Sequence, residues 1–439
     1  MGNYLKKKSL IYPLVTFRIL FGGLMAYSAW RFVDNGWIEK LFFEPDFFFK
    51  YYGFHWVSYM GDAWMYPLYG IMIASAIGIA IGFFYRLNTI LFFLTFSYTE
   101  LLDATNYLNH HYLVGIFALF LIFLPAHRAV SLDSRFGLVK GSETVPSWCI
   151  DVIKIQIIIV YTCAGIAKLN SDWLIHGMPL SIWLPEHTDI PILGYFFSLS
   201  GMGLFMSWAG ALYDLSIGYL LLWRPTRLIA YSLVVIFHLL TYLLFNIGLF
   251  PFIMITSNMI FFSGKWHKRF YSWLSLDSAS GSRHFVPRFS RPLIGAFVVF
   301  LFIQAILPFR HHLYEGDVLW TEEGYRFSWR VMLVEKVGLT TFYVNDRATG
   351  RSSEILNCDY LTTFQEKQMS IQPDFILQFA EYLSEHYVKE YGFVDPVVTA
   401  DAHVALNTRT SKRLFSPEQD LLSLEDDFKH KDWIILAER

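Results

Sequence analysis

The chain has 439 residues, of which 54% are hydrophobic and 16% are charged, and its formal net charge is -2. Soluble domains are typically about 45–50% apolar and about 25% charged, so the composition excludes an ordinary soluble protein. So apolar a chain must bury its surface in a core or in lipid, which excludes intrinsic disorder and argues against nucleic-acid binding. Charged residues are sparse before residue 310 and dense after it, which indicates a membrane part followed by a soluble part.

Nine apolar runs in the first part are candidate membrane spans, because a helix needs about 20 apolar residues to cross a bilayer. They lie at residues 11–31, 64–85, 87–103, 112–126, 150–168, 203–223, 227–246, 248–263 and 292–309. The fourth and eighth runs are short, so the expected count is about nine. The sequence predicts a membrane all-α helical bundle over residues 1–309.

Residues 310–439 predict a small α+β extramembrane domain. Two β-like runs, 340–344 and 353–356, flank a turn signal. Apolar residues then recur at helical spacing over 375–391, and residues 396–404 alternate as a strand does. A short helix-and-sheet domain is the expected outcome.

The sequence gives no support for a metal or disulfide site. The three cysteines, Cys149, Cys163 and Cys358, form no CxxC pair and no metal-type spacing with histidine. We therefore expect neither a bound metal nor a disulfide framework.

Basic residues are unevenly distributed between alternate loops, and short positively charged loops stay on the cytoplasmic side. If the N-terminus is cytoplasmic, the inner loops, including the 264–291 loop, hold most of the basic residues. The outer loops then hold only Arg31, Lys40, Lys50 and Lys168. An odd number of spans places residues 310–439 on the outer face, which is periplasmic, lumenal or extracellular.

Ionisable side chains within apolar spans are functional candidates, because a charge at mid-membrane costs about 2.5–3.5 kcal/mol on insertion scales. The candidates are Lys154, Lys168, Asp214 and His238 and, near the span ends, Glu100, Asp103, His110 and His111. Structural roles are the alternative. Lys154 can reach the inner interface, and Asp214 can pair with a neighbouring helix.

Lys168 ends its span at the outer boundary, beside small residues that allow close helix contact. Burial disfavours the charged form of a lysine, so a neutral amine at this position could act as a base. Asn109 and His110 begin another span on the same outer side. Topology therefore allows Lys168 and His110 to share one site, with a purely structural polar cluster as the open alternative.

Four groups of residues, in order and over nearly the whole chain, resemble the vitamin K-dependent γ-glutamyl carboxylases and their bacterial relatives. The first is Leu-Leu-Asp at 101–103 with Asn-His-x-Tyr-Leu at 109–113 and Val-Ser-Leu-Asp at 130–133. The second is Ile-Val-Tyr at 159–161 with Ala-Gly-Ile-Ala-Lys-Leu at 164–169 and Asp-Trp at 172–173. The third is Phe-His at 237–238 with residues 244–250, and the fourth is Trp-Thr at 320–321 with Tyr-Arg-Phe-Ser-Trp at 325–329 and Met332.

The resemblance implies an integral membrane enzyme that uses reduced vitamin K, takes O₂ and CO₂ as co-substrates and needs no metal. In such enzymes a lysine deprotonates reduced vitamin K, O₂ adds, and the resulting strong base removes a γ-proton from a glutamyl side chain. The carbanion takes up CO₂, and the cofactor leaves as its epoxide. The implied partners are membrane lipid and a glutamate-containing peptide or protein.

Carried over residue by residue, the resemblance implies that Lys168 is the base. His110, with Asn109, would hydrogen-bond or orient the quinone oxygens, so Lys168 and His110 are the expected catalytic residues. His238 and Tyr325 would help to form the cofactor pocket and the glutamate site, respectively.

The chain departs from the animal enzymes at several positions. Ala167 stands where they have a second lysine, Thr241 and Tyr242 replace polar residues, and Arg330 follows Ser-Trp where they carry an acid. The soluble domain is also shorter. Two rival functions remain, a vitamin K hydroquinone epoxidase with lost or altered carboxylation and a non-enzymatic or transport protein that reuses the membrane fold. A transporter typically has paired inverted repeats, and the sequence has no such symmetry.

Overall fold

The computed structural model describes residues 7–276, Phe285 and residues 290–437. Helices dominate its first part. The longer ones are α1 (Tyr12–Asp34), α2 (Asp62–Ile81), α3 (Tyr85–Leu102), α4 (Asn109–Phe123), α5 (Trp148–Ala167), α6 (Met202–Leu222), α7 (Arg227–Leu244), α8 (Phe250–Asn258), α9 (Gly264–Trp273) and α10 (Ser290–Ile306). Shorter helical pieces lie at Glu39–Phe43, Ala104–Asn106, Leu132–Arg135, Ser171–Leu174, Leu180–Trp183, Leu184–His187, Leu193–Phe197, Met259–Phe261, Leu307–Leu313 and Val318–Thr321.

Each of the nine predicted spans overlaps one of these longer helices, so the largely helical first part is confirmed. Five helical stretches of the described residues are long and apolar enough to cross a membrane: Asp62–Ile81, Trp148–Ala167, Met202–Leu222, Arg227–Leu244 and Arg291–Leu313. Asn109–Phe123 and Phe250–Phe261 are apolar but shorter. The number of nine crossings therefore stays a prediction.

The α7 helix illustrates how these helices divide their surfaces. Ala230, Val234 and His238 follow one another at intervals of four residues and are buried against the bundle. Leu228 and Ile236 on other faces are 68% and 61% exposed. A continuous exposed apolar surface of this kind is typical of a lipid-facing helix, since in water it would drive association.

One end of the bundle gathers the segments predicted to be inside. Strand β1 (Lys8–Leu10) pairs in antiparallel register with β2 (Thr144–Pro146), next to the start of α5. Lys268 of α9 forms an ion pair with Glu143. The N-terminal segment, the loop before α5 and the segment after α8 therefore lie on one side, as the alternation of spans predicts.

The Val-Ser-Leu-Asp segment is a structural loop at this same end. The Asp133 carboxylate accepts hydrogen bonds from the amides of Phe84 and Tyr85 at 2.8 and 3.0 Å, and these amides at the start of α3 have no intrahelical partner. The buried guanidinium of Arg18 donates to the carbonyl of Val130 at 2.6 Å. The segment thus caps α3 and ties it to α1.

The C-terminal part contains a four-stranded antiparallel sheet in the order β4-β3-β5-β6. Its strands are β3 (Lys336–Asp346), β4 (Ser352–Glu354), β5 (Pro396–Leu406) and β6 (Lys412–Arg413), and its helices are α11 (Thr363–Met369) and α12 (Pro373–Tyr391), with short turns at Asn357–Asp359 and Leu421–Ser423. Phe342 of β3 packs edge-on against Phe379 of α12, with ring centroids 5.1 Å apart. The predicted sheet-containing C-terminal region is confirmed.

The sheet domain is packed onto the loops that follow α1, α3 and α5 and is not merely tethered to the bundle. The Gln365 amide donates to the Phe47 carbonyl at 2.7 Å and to the Asp103 carboxylate at 2.9 Å. The Asn407 amide donates to the Asp172 carboxylate at 2.8 Å. The loops after α1, α3 and α5, which the sequence predicts to be outside, therefore all lie on the side of this domain.

An ion pair fixes the connection between α10 and the sheet. The guanidinium of Arg326 contacts both carboxylate oxygens of Asp374 at the start of α12. Burial alone would raise the pKa of Asp374, but the Arg326 charge outweighs this effect and holds the pKa below its ordinary value. The connecting segment that follows α10 is thereby held against the domain.

The orientation can be tested with the native thiols. Cys358 is exposed on the sheet domain, whereas Cys149 and Cys163 are buried. We expect a membrane-impermeant maleimide to label Cys358 in intact cells or spheroplasts, and a Lys265→Cys, Cys358→Ser variant to be labelled only after permeabilisation. Cys358→Ser alone supplies the background, and the opposite pattern of labelling would reverse the topology.

Candidate active site

A cavity of about 900 Å³ lies between α1, α2, α3, α4, the start of α8 and the C-terminal part. Aromatic and aliphatic side chains form most of its wall, among them Tyr69, Met72, Phe92 and Phe96. The sheet domain closes part of its outer side through the first residues of α11. Large, mainly apolar cavities with a few convergent polar groups are the usual form of small-molecule sites.

His110 stands in the first turn of α4 and lines the cavity. Its imidazole contacts the rings of His111 and Phe250, with centroids 4.5 and 5.7 Å away. His111 is engaged by the Glu100 carboxylate at 3.0 Å, but the imidazole of His110 forms no hydrogen bond with any residue of the described ranges. His110 is therefore free to hydrogen-bond a ligand in the cavity.

Asn109 also lines the cavity, but its amide is used within the protein. Its nitrogen donates to the carbonyl of Arg330 at 2.8 Å, and its oxygen accepts a hydrogen bond from the Tyr107 hydroxyl at 3.1 Å. The first and fourth groups of the resemblance thus meet at this residue. Asn109 fixes the segment after α10 against the start of α4.

Tyr325 belongs to that segment and lines the cavity as well. Phe327, Trp329 and Met332 have φ values of 59°, 59° and 56°, which is the left-handed region that such side chains rarely adopt. Each such residue costs on the order of 1–3 kcal/mol, and strained backbone of this kind concentrates at functional sites. The surrounding contacts must hold this conformation in place.

Two contacts to α4 and its N-terminal loop supply that support, and one glycine permits it. The Trp329 ring stacks on Tyr112 with centroids 5.0 Å apart, and the amide of Phe327 donates to the Tyr107 hydroxyl at 2.8 Å. Gly324 has φ +81°, and a Cβ there would lie 2.9 Å from the backbone nitrogen of His311. A side chain at this position would push the segment away from the end of α10.

Arg330 is the cation of this segment and borders the cavity. Its side chain is buried, and Nη2 lies 3.1 Å from both ring nitrogens of His311. Burial lowers the pKa of the Arg330 guanidinium from its ordinary value. The sequence marked Arg330 only as a departure from the animal enzymes and gave no role to its side chain.

Lys168 follows the last residue of α5 and is buried. Its Nζ lies 2.8 Å from the Asp214 carboxylate of α6 and 3.4 Å from the carbonyl of Ala164, and it sits 5.2 Å from the centre of the Trp173 ring. Lys168 is not among the described residues that line the cavity. Asp214, for which the sequence suggested a helix-pairing role, is thus the charge partner of Lys168.

Small residues bring this pair together. Gly165 approaches α6 so closely that a Cβ would lie 2.9 Å from the backbone nitrogen of Leu215. Close approach at small residues is what the sequence predicted for this part of α5, and the contact confirms it. Asp214 precedes Leu215, so this approach also places its carboxylate beside Lys168.

His238 is buried behind the cavity wall. Its Nε2 lies 3.2 Å from the Tyr161 hydroxyl, which also accepts a hydrogen bond from the Asn258 amide at 2.9 Å. Its Nδ1 has no hydrogen-bond partner in the described part of the chain. Phe250 lies between the two histidines, with its ring centroid 5.5 Å from His238 and 5.7 Å from His110.

The predicted site residues therefore lie at three positions: in the cavity wall, directly behind that wall, and at the end of α5. His110, Asn109 and Tyr325 line one cavity, and His238 lies one ring behind it. Lys168 is seven residues beyond Tyr161 on α5, which is about 10 Å along a helix axis. That Lys168 and His110 act in one site remains a prediction.

Two residues of this region escaped the sequence reasoning, Tyr161 as a partner of His238 and Asn258 as a partner of Tyr161. Asn258 stands in an apolar helix, where an amide needs a partner, and this is the signal that could have found it. No group of three or more His, Cys, Asp or Glu side chains within the described ranges could hold a metal ion.

Comparison with known proteins assigns the chain to a family. The HTTM domain family matches residues 7–266, which defines the class as a multi-pass membrane protein with an HTTM domain. The family described as vitamin K-dependent gamma-carboxylase, lumenal domain, matches residues 290–439. The chain therefore belongs to the vitamin K-dependent gamma-carboxylase family, and the resemblance found in the sequence is confirmed. No solved structure matches the chain.

The two matches bear on organisation as well as on family. The first match ends at residue 266 and the second begins at residue 290, whereas the sequence placed the domain boundary between residues 309 and 310. The description of the second match agrees with a C-terminal domain on the outer face. The division at residue 310 and the cytoplasmic N-terminus stay predictions.

Proposed function

We propose that the protein is a membrane vitamin K-dependent γ-carboxylase that couples oxygenation of reduced vitamin K with carboxylation of glutamyl side chains. The observation that carries this proposal is the cavity where the two family-matched regions meet, with the free imidazole of His110 in its wall. When bound, reduced vitamin K reacts with O₂ to supply the strong base that removes a glutamyl γ-proton, after which CO₂ adds to the carbanion.

The residues present fit such a cofactor. A volume of about 900 Å³ is within the usual range for small-molecule sites, roughly 300–1,000 Å³. The walls offer aromatic rings, such as Phe92 and Phe96, for a naphthoquinone ring, and the apolar side chains of α1 to α4 that line the cavity would accommodate part of its isoprenoid tail. His110 would hydrogen-bond a ring oxygen, because its imidazole has no protein partner among the described residues.

Lys168, as the neutral amine, is the proposed acceptor of the first proton, at its Nζ atom. A proton gained there leaves an ammonium group 2.8 Å from the Asp214 carboxylate, so the new charge is balanced within the protein. His238 hydrogen-bonds Tyr161 and packs on Phe250 of the cavity wall, and these two residues are proposed to keep the space behind the wall polar but dry. Lys168 and Asp214 are thus proposed to act together.

Exclusion of water is the second requirement, because water would quench a carbanion. Residues 330–332 and residues 362–364 border the outer part of the cavity, and hydrogen bonds such as that of Gln365 to Asp103 hold the sheet domain over it. The sheet domain is therefore proposed both to cover the reaction and to admit the peptide. An epoxidase that has lost carboxylation would need the cavity but not the peptide entrance.

The location of the quinone can be tested with neighbouring residues of α2. Met72 lines the cavity, whereas Ile71 is 45% exposed on the face turned away from the bundle. We expect Met72→Trp to raise the KM for reduced vitamin K at least 10-fold by filling the cavity, and Ile71→Trp to leave it nearly unchanged. Epoxide formation by protein in nanodiscs is the measurement, with melting temperature as the folding control. Equal KM values for the two variants would place the quinone elsewhere.

A further inference from the structure

Arg330 is a buried cation with no acidic partner among the residues that the structure describes. Its side chain is only 7% exposed, and no Asp or Glu oxygen of the described residues lies within ion-pair distance of it. Arg326, four residues earlier in the same segment, differs in having the Asp374 carboxylate as its partner. Of these two neighbouring guanidinium groups, only the one that borders the cavity lacks an anion.

The contacts of Arg330 leave part of its guanidinium unused. Nδ1 of His311 lies 3.0 Å from the Pro308 carbonyl, so it is the donor there, and Nε2 is left to accept a hydrogen bond from Nη2 of Arg330. Nε of Arg330 is buried without a partner, and Nη1 has no acceptor among the described residues. The Asn109 amide fixes the backbone by donating to the carbonyl of Arg330.

An unpaired guanidinium in a cavity wall indicates a site for an anionic ligand. A buried charge is costly unless it is paired and hydrogen-bonded. A guanidinium whose Nη1 group has no acceptor can bind a carboxylate of a ligand through a charge-assisted hydrogen bond. A cavity that holds an unpaired arginine in its wall is therefore complementary to an anionic group of a ligand.

We propose that Arg330 binds the side-chain carboxylate of the glutamyl residue that enters the cavity. This inference rests on the proposed function, since it assigns the peptide's place within the same site. Reduced vitamin K carries no carboxylate, so a carboxylate bound in the cavity would come from the peptide. Arg330 and His110 line one cavity. A glutamyl carboxylate bound to Arg330 would therefore bring its neighbouring γ-carbon into the same cavity as the quinone. The guanidinium would also stabilise negative charge that spreads onto the carboxylate when the γ-proton leaves.

Binding of blocked peptides tests this assignment directly. The probes are an N-acetylated, C-amidated peptide with one Glu and its twin with Gln, so that the only carboxylate is the side chain. Protein in nanodiscs is compared as wild type, Arg330→Gln, Arg330→Lys and the matched surface control Arg347→Gln, whose side chain is 61% exposed. Fluorescence anisotropy gives each Kd, and the KM for reduced vitamin K is measured in parallel.

Wild type and Arg347→Gln are expected to prefer the Glu peptide. Arg330→Gln should weaken Glu-peptide binding about 10–100-fold, the range typical of losing one partner of a buried charge pair, and should abolish the preference over Gln. Arg330→Lys keeps the charge but not the planar fork and should retain part of the preference. The KM for reduced vitamin K should not change in any of them.

Two results would overturn the assignment: equal binding of the Glu and Gln peptides by wild type, or an unchanged preference in Arg330→Gln. Carboxylation with an unchanged Glu-peptide KM in Arg330→Gln would reject the role of Arg330 and leave the proposed function standing. An Arg330-dependent preference for Glu in a protein that forms no carboxylated product would support the binding site and reject the proposed function. Arg330→Lys answers the question if Arg330→Gln does not fold.

Discussion

Replacing Lys168 with alanine is expected to lower epoxide formation and carboxylation together, by about 10²–10⁴-fold, the usual contribution of a positioned acid–base group. Both activities should fall because the first proton transfer precedes them. The substitution also leaves the Asp214 carboxylate buried without its partner at 2.8 Å, so each variant needs a measured melting temperature. Asp214→Asn should lower both activities as well, because it removes the charge that balances the protonated amine.

A lysine on the same helix provides a matched control for this prediction. Lys154 lies toward the inner end of α5, 3.7 Å from the Asp151 carboxylate, and Lys154→Ala should keep near-normal turnover. A small amine added to Lys168→Ala should restore part of the activity if the lysine acts as a base. A folded Lys168→Ala protein that binds the quinone and forms epoxide at the normal rate would remove Lys168 from the mechanism.

Replacing His110 with alanine should reduce epoxide formation about 10²–10³-fold, which is typical of losing one oriented hydrogen-bond donor in a dry site. The imidazole has no other partner in the described part of the chain, so little stability should be lost with it. His110→Gln keeps a hydrogen-bonding group and should retain more activity than His110→Ala. Initial rates at saturating and limiting reduced vitamin K separate binding from turnover.

The contrary result for His110 is equally clear. If purified His110→Ala keeps the turnover and the KM of wild type, the imidazole only packs against Phe250 and His111 at the start of α4. A loss of activity that parallels a fall in melting temperature would also assign it a structural role. The hydrogen-bonding role requires loss of activity in a stably folded protein.

The helical part of the fold could be predicted from the sequence because a segment that crosses lipid must satisfy its own backbone hydrogen bonds. Spans of about 20 apolar residues must be helical, since no water is present to satisfy the backbone. The sheet domain was readable from alternation, as in 396–404, which became part of β5 (Pro396–Leu406). The number of membrane crossings could not be predicted, because α4 and α8 are shorter than a full span.

The candidate site was only partly readable, because its chemistry depends on contacts between distant segments. Asp214 is separated from Lys168 by 46 positions, and only the close approach of Gly165 to α6 makes them partners. The Val-Ser-Leu-Asp segment looked like part of a functional signature, yet Asp133 caps a helix at the opposite end from the sheet domain. A motif in a sequence does not say which of its residues bind a ligand and which support the fold.

Arg330 is a residue whose candidate role could not be read from the sequence. Arg326 and Arg330 are two similar residues in one segment, and nothing in their spacing distinguishes them. Only the structure pairs Arg326 with Asp374 and leaves Arg330 at the cavity without an acidic partner among the described residues. Charge pairing across the fold, which no local pattern records, separates a structural arginine from a candidate ligand-binding one.

The most direct test of the proposed function is a single reaction with two products. Purified protein in nanodiscs receives reduced vitamin K, O₂, a Glu-containing peptide and labelled bicarbonate, and both the epoxide and the label fixed in the peptide are measured. The proposed function predicts that both products form, that label appears as γ-carboxyglutamate, and that both fall together by about 10²–10⁴-fold in Lys168→Ala. Epoxide without fixed label would reduce the protein to an epoxidase, and the absence of both products from folded protein would contradict the proposal.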